Sequence, residues 1–332
     1  MNLNEEIRNG YTITEQVKRL WAVQLEMVQI LLDICNRHHL KIWGDSGTMI
    51  GAVREKGFIP WDDDIDMGMM RPDYDKLLQI AEQELPDNYF MQTAYSDVRY
   101  LHGHAQLRKR GTTCILPFDI DSPFHQGIFI DIFVYDGIPD DPEQLAQLRR
   151  QQAALREQLD IYCTGTKIWR VFSRPFFYFR RKRIEREVGQ KGYCNLHTEW
   201  ENLFRAHPVN QCKHVGALAF SFDRHVRFNM KTEDFSEIIY LPFEDMMMPV
   251  PKGYDRILTD IYGDYMRPAK TPAQHSGFEL VDTEHDYTEH IDAVRKQFHR
   301  KKRIKRWKHI LDKAIGYLTF KPVKHSSSAL SR

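Results

Sequence analysis

Between Trp43 and Met70 the chain reads WGDSGTMIGAVREKGFIPWDDDIDMGMM, and four carboxylates, Asp62, Asp63, Asp64 and Asp66, crowd its second half among apolar neighbours. Asp64-Ile65-Asp66-Met67 alternates acid and apolar with a period of two. As a strand, this turns both acids to one face and sends Ile65 and Met67 into the core. Carboxylates so close repel one another unless a cation lies between them. Ligand sets made only of oxygen suit Mg²⁺ or Mn²⁺, in sites that commonly share the ion with substrate phosphates. Asp64 and Asp66 are therefore the first candidate metal ligands. Upstream, Gly44-Asp45-Ser46-Gly47 reads as a sharp turn into a helix starting near Thr48, with Met49, Ile50 and Val53 on its buried face. Such a helix start offers unpaired N–H groups and a favourable dipole to a phosphate, which makes Ser46, Gly47 and Thr48 candidate phosphate contacts.

A third acid lies in Gln126–Phe133, QGIFIDIF, an almost wholly apolar strand broken by Asp131. A buried unpaired carboxylate costs several kcal/mol, so Asp131 needs a partner. A metal shared with Asp64 and Asp66 on a neighbouring strand supplies one; a salt bridge to a core Arg or Lys is the alternative. Among the cations, Arg108, Lys109 and Arg110 follow the apolar Leu107 on a predicted strand. One of them, with Arg108 as the candidate, reaches a substrate phosphate through a planar fork, or the three are a solvated strand end. Lys252, at the start of a later helix, is a second candidate phosphate contact, against a solvated surface lysine.

The small-residue turn followed by an Asp-x-Asp strand resembles the signature of the nucleotidyltransferase superfamily. GTMIGAVREKGFIPWDDDIDMGMMRPDYDKL, IDIFVYDGIP (Ile130 to Pro139) and LPFEDMMMPVPKGYDRILTDIYGDYMRPA (Leu241 to Ala269) resemble the LicD family more closely. That family includes the choline-phosphate transferases of bacterial surface glycans and, distantly, the fukutin-related enzymes. The likeness runs from about Leu40 to His275 with a poorly matching stretch between. It implies a mixed α/β fold with a nucleotidyltransferase-like core. It also implies a third acid, for which Asp131 stands, and a substrate cleft closed by the helix after Lys252. The implied reaction moves a substituted phosphate, such as phosphocholine, from a CDP-linked donor to a sugar hydroxyl of a cell-surface glycan (lipopolysaccharide, capsule or teichoic acid), releasing CMP. In that scheme Asp64, Asp66 and Asp131 hold Mg²⁺ (or Mn²⁺), with Asp131 completing a second metal position or taking the proton of the attacking hydroxyl. Asp62 contacts metal or the donor's cationic group. Trp43, Trp61 or Tyr95 stacks on the base or faces a quaternary ammonium. Two other readings stand beside this one. A true nucleotidyltransferase would transfer an NMP and release pyrophosphate; a non-catalytic module would bind nucleotide or glycan with its acids broken.

The elements that must hold these residues can be read in order. Thr14 caps a helix to about His39 whose stripe is Val17, Trp21, Val28, Leu31 and Cys35. A short strand, Leu40 to Trp43, leads into the acid motif. Pro72 opens a helix to about Leu85, strands follow at Tyr89–Thr93 and His104–Lys109, and Asp136 falls in a turn. A helical insertion covers about 141–213, so that residues 1–290 form the catalytic domain and 291–332 a basic amphipathic tail. Within the insertion, KIWRVFSRPFFYFRRKRIER (167–186) mixes aromatics with Arg and Lys, as does HRKKRIKRWKHI in the tail. Both compositions suit an anionic membrane surface or a lipid-linked acceptor, against packing or solvation of the same helices. Cys194, His197, Cys212 and His214 crowd one region, but their spacing is unusual for zinc.

The 332 residues allow a sizeable core, and a net charge of +1 with no nucleic-acid-binding fold argues for no nucleic acid. Five cysteines at irregular spacing read as reduced thiols. No stretch reaches the roughly 18–20 apolar residues of a membrane span. The expected place is the cytoplasm, peripheral on the inner face of the membrane. His275 sits in a Pro-rich loop, and Ser326 to Arg332 read as a disordered end.

Overall fold

A computed structural model describes residues 1–166, 174–268 and 277–319, apart from the side chains of 312 and 314–319. Trp169, Phe172, His275 and the C-terminal Ser326 to Arg332 lie outside the described residues. The chain forms two compact units, Met1–Tyr287 and Thr288–Arg332.

The first unit opens with a ribbon, β1 (Glu6–Arg8) and β2 (Tyr11–Ile13), and then α1 (Glu15–Arg37). Thr14 caps α1 by accepting the Val17 N–H, as its sequence predicts, and Trp21, Val28, Leu31 and Cys35 are all buried along its inner stripe. β3 (Trp43–Gly44) is shorter than the strand expected at Leu40 to Trp43. α2 (Ser46–Ile50) follows and runs straight on into a π-turn over Gly51–Glu55. α2 starts two residues earlier than the sequence suggests because Asp45 caps it, accepting the Ser46 N–H. An irregular stretch then carries Asp62 to Asp64 into β4 (Asp66–Met70) and α3 (Arg71–Glu84), where Pro72 occupies the first turn. β5 (Tyr89–Gln92), β6 (Ala105–Lys109), β7 (Thr113–Ile115) and β8 (Phe129–Ile138) complete the first half.

Three helices follow in the described insertion: α4 (Pro142–Thr164), α5 (Pro175–Lys191) and α6 (Tyr193–Arg205). β9 (His214–Gly216), α7 (Phe222–Arg227) and β10 (Met230–Lys231) return the chain to the sheet. A hairpin of β11 (Ile238–Phe243) and β12 (Met246–Pro251) leads to α8 (Tyr254–Tyr262), and β13 (Leu280–Asp282) pairs with β7.

The fold is the mixed α/β arrangement expected, and β8 is its spine. Parallel β4 lies along one edge of β8; antiparallel β6 covers the first half of the other edge and β9 the second half. β3 flanks β4, β5 flanks β6 and β10 flanks β9. Strands covered on both faces read as continuous apolar runs, which is why FIDIFVYDGI forms the centre. Ile130, Ile132 and Val134 of β8 with Met67 and Met69 of β4 are buried on one face, where α1 and α3 pack.

β8 runs to Ile138, five residues beyond the strand expected, because β9 continues the ladder through Asp136, Gly137 and Ile138. Asp136 is therefore a strand residue rather than a turn residue. Its buried carboxylate takes both Nε and Nη2 of Arg71 at 2.8 Å, and Arg71 Nη1 reaches Glu201 of α6 at 3.1 Å. Two acids around one buried guanidinium tie α3, β8 and α6 together.

The second unit holds α9 (Ile291–Thr319), which exposes Ile304, Trp307, Ile310 and Leu311 among its lysines and arginines. Among the described residues no helix is long and apolar enough to cross a membrane. All five cysteines are free.

Candidate active site

Register places the acids. Asp66 of β4 pairs with Asp131 of β8, Asp131 pairs with Gln106 of β6, and Gln106 pairs with Gln92 of β5. Residues paired across a sheet share a face, so a row of two acids and two amides crosses four strands opposite the α1 and α3 packing. The ladder extends one step beyond β4, since the Asp131 N–H donates to the Ile65 carbonyl at 2.9 Å.

Asp62, Asp63 and Asp64 approach from the irregular stretch before β4, each with a carboxylate oxygen within 4.8 Å of the others. Helix α1 holds their backbone. The Trp21 indole N–H donates to the Asp62 carbonyl at 3.1 Å and the Gln24 amide to the Asp63 carbonyl at 3.0 Å. Helix α2 presses from the other side. A Cβ on Gly47 would stand 2.6 Å from Asp62 Oδ2, so only glycine lets the backbone come this close.

The Ser46 turn is locked to β4 by two bonds and to β8 by a third. The Thr48 hydroxyl accepts the Asp66 N–H at 2.9 Å, the Asp45 N–H donates to the Asp66 carbonyl at 2.8 Å, and the Tyr135 hydroxyl donates to Asp45 Oδ2 at 2.7 Å. Ser46 sits at φ +45°, a left-handed conformation that few non-glycine residues adopt and that collects at functional sites. Its side chain meets the hydroxyl of Tyr262, at the end of α8.

Asp131 is anchored through one oxygen. His104 Nε2 lies 3.1 Å from Asp131 Oδ1 and Gln106 Nε2 donates to the same atom at 2.7 Å. Burial works to raise the Asp131 pKa, but the charge and hydrogen bond of His104, then the Gln106 amide, hold it below the usual carboxylate range. Its neighbours go the other way. Burial, then the charges of Asp64, Asp131, Asp45 and Asp62, raise Asp66 well above that range. Burial, then Asp64 and Asp63, push Asp62 up to about 9. These surroundings favour the protonated forms of Asp62 and Asp66 and the charged form of Asp131. A donor set of crowded carboxylate oxygens with no nitrogen or sulfur fits a hard divalent ion, and Asp62, Asp63, Asp64, Asp66 and Asp131 are the residues that could hold it.

The sequence candidates thus divide. Asp64, Asp66 and Asp131 come together, with Ser46, Gly47 and Thr48 beside them. Arg108 shares the face of Asp131 but is 1 % exposed. Its guanidinium donates to Gln92 Oε1, the Gly127 carbonyl and Gln106 Oε1 at 2.8, 2.5 and 2.6 Å, and it lies over the Phe129 ring. Every nitrogen is engaged, so its reach extends to the Gln106 amide and through it to Asp131. Lys109 pairs with Glu26 and Arg110 donates to the Asp87 and Tyr89 carbonyls. Lys252 is a surface residue whose Nζ pairs with Glu237 at 2.7 Å.

Of the three aromatic candidates, Trp43 is buried across Gly68 and against Phe235. Trp61 is half-buried against the Tyr11 ring, and Tyr95 donates to Glu201 of α6. Cys194, His197, Cys212 and His214 do not converge. The first two lie on α6 near Ala94 and Glu201, Cys212 packs against Gly137, and His214 faces Asp140. Asp45, His104, Gln106 and Tyr135 were not anticipated. The run His104-x-Gln106-x-Arg108 was the available signal, because a polar face at period two on a strand beside Asp131 must meet that acid.

A family model described as the LicD/FKTN/FKRP nucleotidyltransferase domain matches residues 39–137, the interval that contains every acid of the cluster. The chain is 29% identical to the lipopolysaccharide cholinephosphotransferase LicD of Haemophilus influenzae over 246 residues, 74% of this chain and 89% of that protein. It is 33% identical over 132 residues to an uncharacterized protein of Rickettsia prowazekii, covering 38% of this chain and 46% of the other. The matched domain coincides with the strands and turn that gather the acids, so residues 39–137 carry a domain of the LicD/FKTN/FKRP type and the chain as a whole is similar to a LicD protein.

Proposed function

We propose that the protein transfers a substituted phosphate, phosphocholine or a related phosphoalcohol, from a CDP-linked donor to a sugar hydroxyl of a surface glycan such as lipopolysaccharide, releasing CMP. One observation carries this reading: Asp66 and Asp131 leave adjacent strands side by side, beside a second cluster of Asp62, Asp63 and Asp64 in which the charges of Asp64 and Asp62 act on Asp66. The likeness to the Haemophilus cholinephosphotransferase, which spans 89% of that protein, supports the choice of transferred group.

In this reading Asp64, Asp66 and Asp131 hold Mg²⁺ or Mn²⁺. When bound, the ion neutralises charge on the donor phosphates and the leaving group. The acceptor oxygen forms a bond to the phosphorus bearing the alcohol, the bond from that phosphorus to CMP breaks, and the acceptor's proton passes to a base. Asp131 suits that base role as well as a ligand role, because His104 and Gln106 grip Oδ1, fix its orientation and favour its charged form. Thr48 acts through Asp66, whose backbone it holds, while Ser46 and Gly47 face the phosphates. Residues 1–290 serve as the catalytic part and the later helix as a basic tail. A lipid-linked acceptor agrees with α5, which exposes Phe176, Phe177 and Phe179 beside Arg180 to Arg183, and with the exposed Trp307 and Ile304 of α9.

The test is thermal stabilisation by CDP-choline, other CDP-alcohols and plain nucleotides, with and without Mg²⁺, on wild type and Asp64→Ala/Asp66→Ala. A Mg²⁺-dependent rise with one CDP-alcohol, lost in the double variant, is the expected result. A rise only with nucleoside triphosphates, with pyrophosphate rather than CMP released, would replace this reading with nucleotidyl transfer.

A further inference from the structure

An acid cluster of this density repels a diphosphate, and the cations that sequence order offers are not available to it. Arg108 is fully engaged inside the sheet and Lys252 is paired with Glu237 at the surface. A different cation, Arg224, acts on the groups beside Ser46.

The segment from Phe220 to Arg227 crosses the site. At one end the Phe220 ring lies 5.4 Å from His104 and 4.9 Å from Phe133, so it rests on the residue that grips Asp131. At the other end the His225 ring lies 6.1 Å from Tyr135, whose hydroxyl holds Asp45. Arg224, between these two anchors, is exposed, and among the described residues its guanidinium makes no ion pair or hydrogen bond. Its charge nevertheless acts inward, favouring the ionised forms of the buried Asp45 carboxyl and of Tyr262 against the burial that opposes them. These two groups flank Ser46, one as its neighbour in the chain and one through a side-chain contact.

We propose that Arg224 is a donor-binding residue, the side chain that takes the diphosphate of the nucleotide-linked donor at the rim between Asp45 and Asp131. The inference rests on the transferase reading. A guanidinium held at a rim and unpaired is free to offer two parallel N–H groups to phosphate oxygens, and a lysine can offer only a point charge. Arg224 thus brings positive charge to the Ser46 side of the acid cluster, and α7 supplies its position.

The test is calorimetric binding of CDP, inorganic pyrophosphate and cytidine to wild type, Arg224→Gln and Arg224→Lys in Mg²⁺. Arg224 is exposed and unpaired, so both variants should melt with wild type. The expected result is a loss of about ten- to a hundredfold in CDP and pyrophosphate affinity in Arg224→Gln, with partial recovery in Arg224→Lys and cytidine unaffected. Equal CDP affinity in wild type and Arg224→Gln would overturn the assignment while leaving the transferase reading intact. Arg224-dependent binding of pyrophosphate without binding of CDP would keep the anion contact and overturn the CDP-linked donor. Binding of neither by wild type would overturn both.

Discussion

Asp66 and Asp131 occupy paired positions on parallel strands, yet their surroundings drive their carboxyls in opposite directions. Asp131 receives a His104 ring and a Gln106 amide on Oδ1, which favour its charge. Asp66 faces burial and four other carboxylates, which oppose its charge. Two like groups pushed apart by environment are a recurring mark of a working site.

The pair yields a prediction in which activity and stability separate. Asp66→Asn and Asp131→Asn should each lower the transfer rate by roughly 10²-fold or more, since each removes charge from the place where phosphate is held. Their effects on metal-free stability should have opposite signs. Asp66→Asn relieves burial and repulsion and should raise the melting temperature in EDTA. Asp131→Asn breaks two satisfied bonds to a charged acceptor and should cost about 1–3 kcal/mol. Melting curves in EDTA, read beside the rates, check both. Equal melting shifts would show that the environments do not differ as described.

Arg108 has a structural prediction of its own. A buried guanidinium that donates to Gln92, Gly127 and Gln106 cannot be removed without leaving three acceptors unmatched. Arg108→Met should therefore destabilise the protein by about 3 kcal/mol or more, and Arg108→Lys should recover little, because an ammonium cannot span the same fork. Chemical denaturation measures the loss. A variant of unchanged stability but with weakened donor binding would return Arg108 to the role its sequence position suggests.

The acid motif was legible because its signal is local: a turn, a helix start and an alternating strand lie within one stretch of chain. Asp131 was legible because a lone acid in an apolar strand demands a partner. What escaped was whatever depended on register. His104 and Gln106 become partners of Asp131 only when β6 pairs with β8 in one alignment, and a shift of one residue would turn both to the other face. The same shift decides whether Arg108 meets solvent or the core, and composition carries no trace of it. Asp136 was misplaced for a related reason. The segment Asp136 to Ile138 is a strand because β9, almost eighty residues later, returns to pair with it. Arg224 was invisible for the same cause, since the groups its charge reaches, Asp45 and Tyr262, lie at the start of α2 and the end of α8, far from it in the chain.

Buried histidines set the acid side of the stability profile. Burial, then nearby arginine charge, lowers His125 and His225 from 6.5 to about 4; burial, opposed by Glu201 and aided by Arg156, Arg71 and Arg205, does the same for His197. The unfolded chain therefore takes up protons at these rings below about pH 6.5, where the folded chain does not. Because the unfolded state binds more protons in that window, stability must fall as pH drops from 6.5 toward about 4, by at most about 1.4 kcal/mol per pH unit for each ring. His225 isolates the effect, since its buried Nδ1 has no hydrogen-bond partner among the described residues and its ring lies edge-on to both Tyr135 and Phe220. His225→Gln should flatten the fall by the contribution of one proton, whatever the carboxylates do, because they are common to both proteins. Unfolding free energies of wild type and variant, measured across that pH range, give the difference directly. Parallel profiles would mean that His225 is protonated in the fold, and that its packing against Tyr135 is looser than the structure shows.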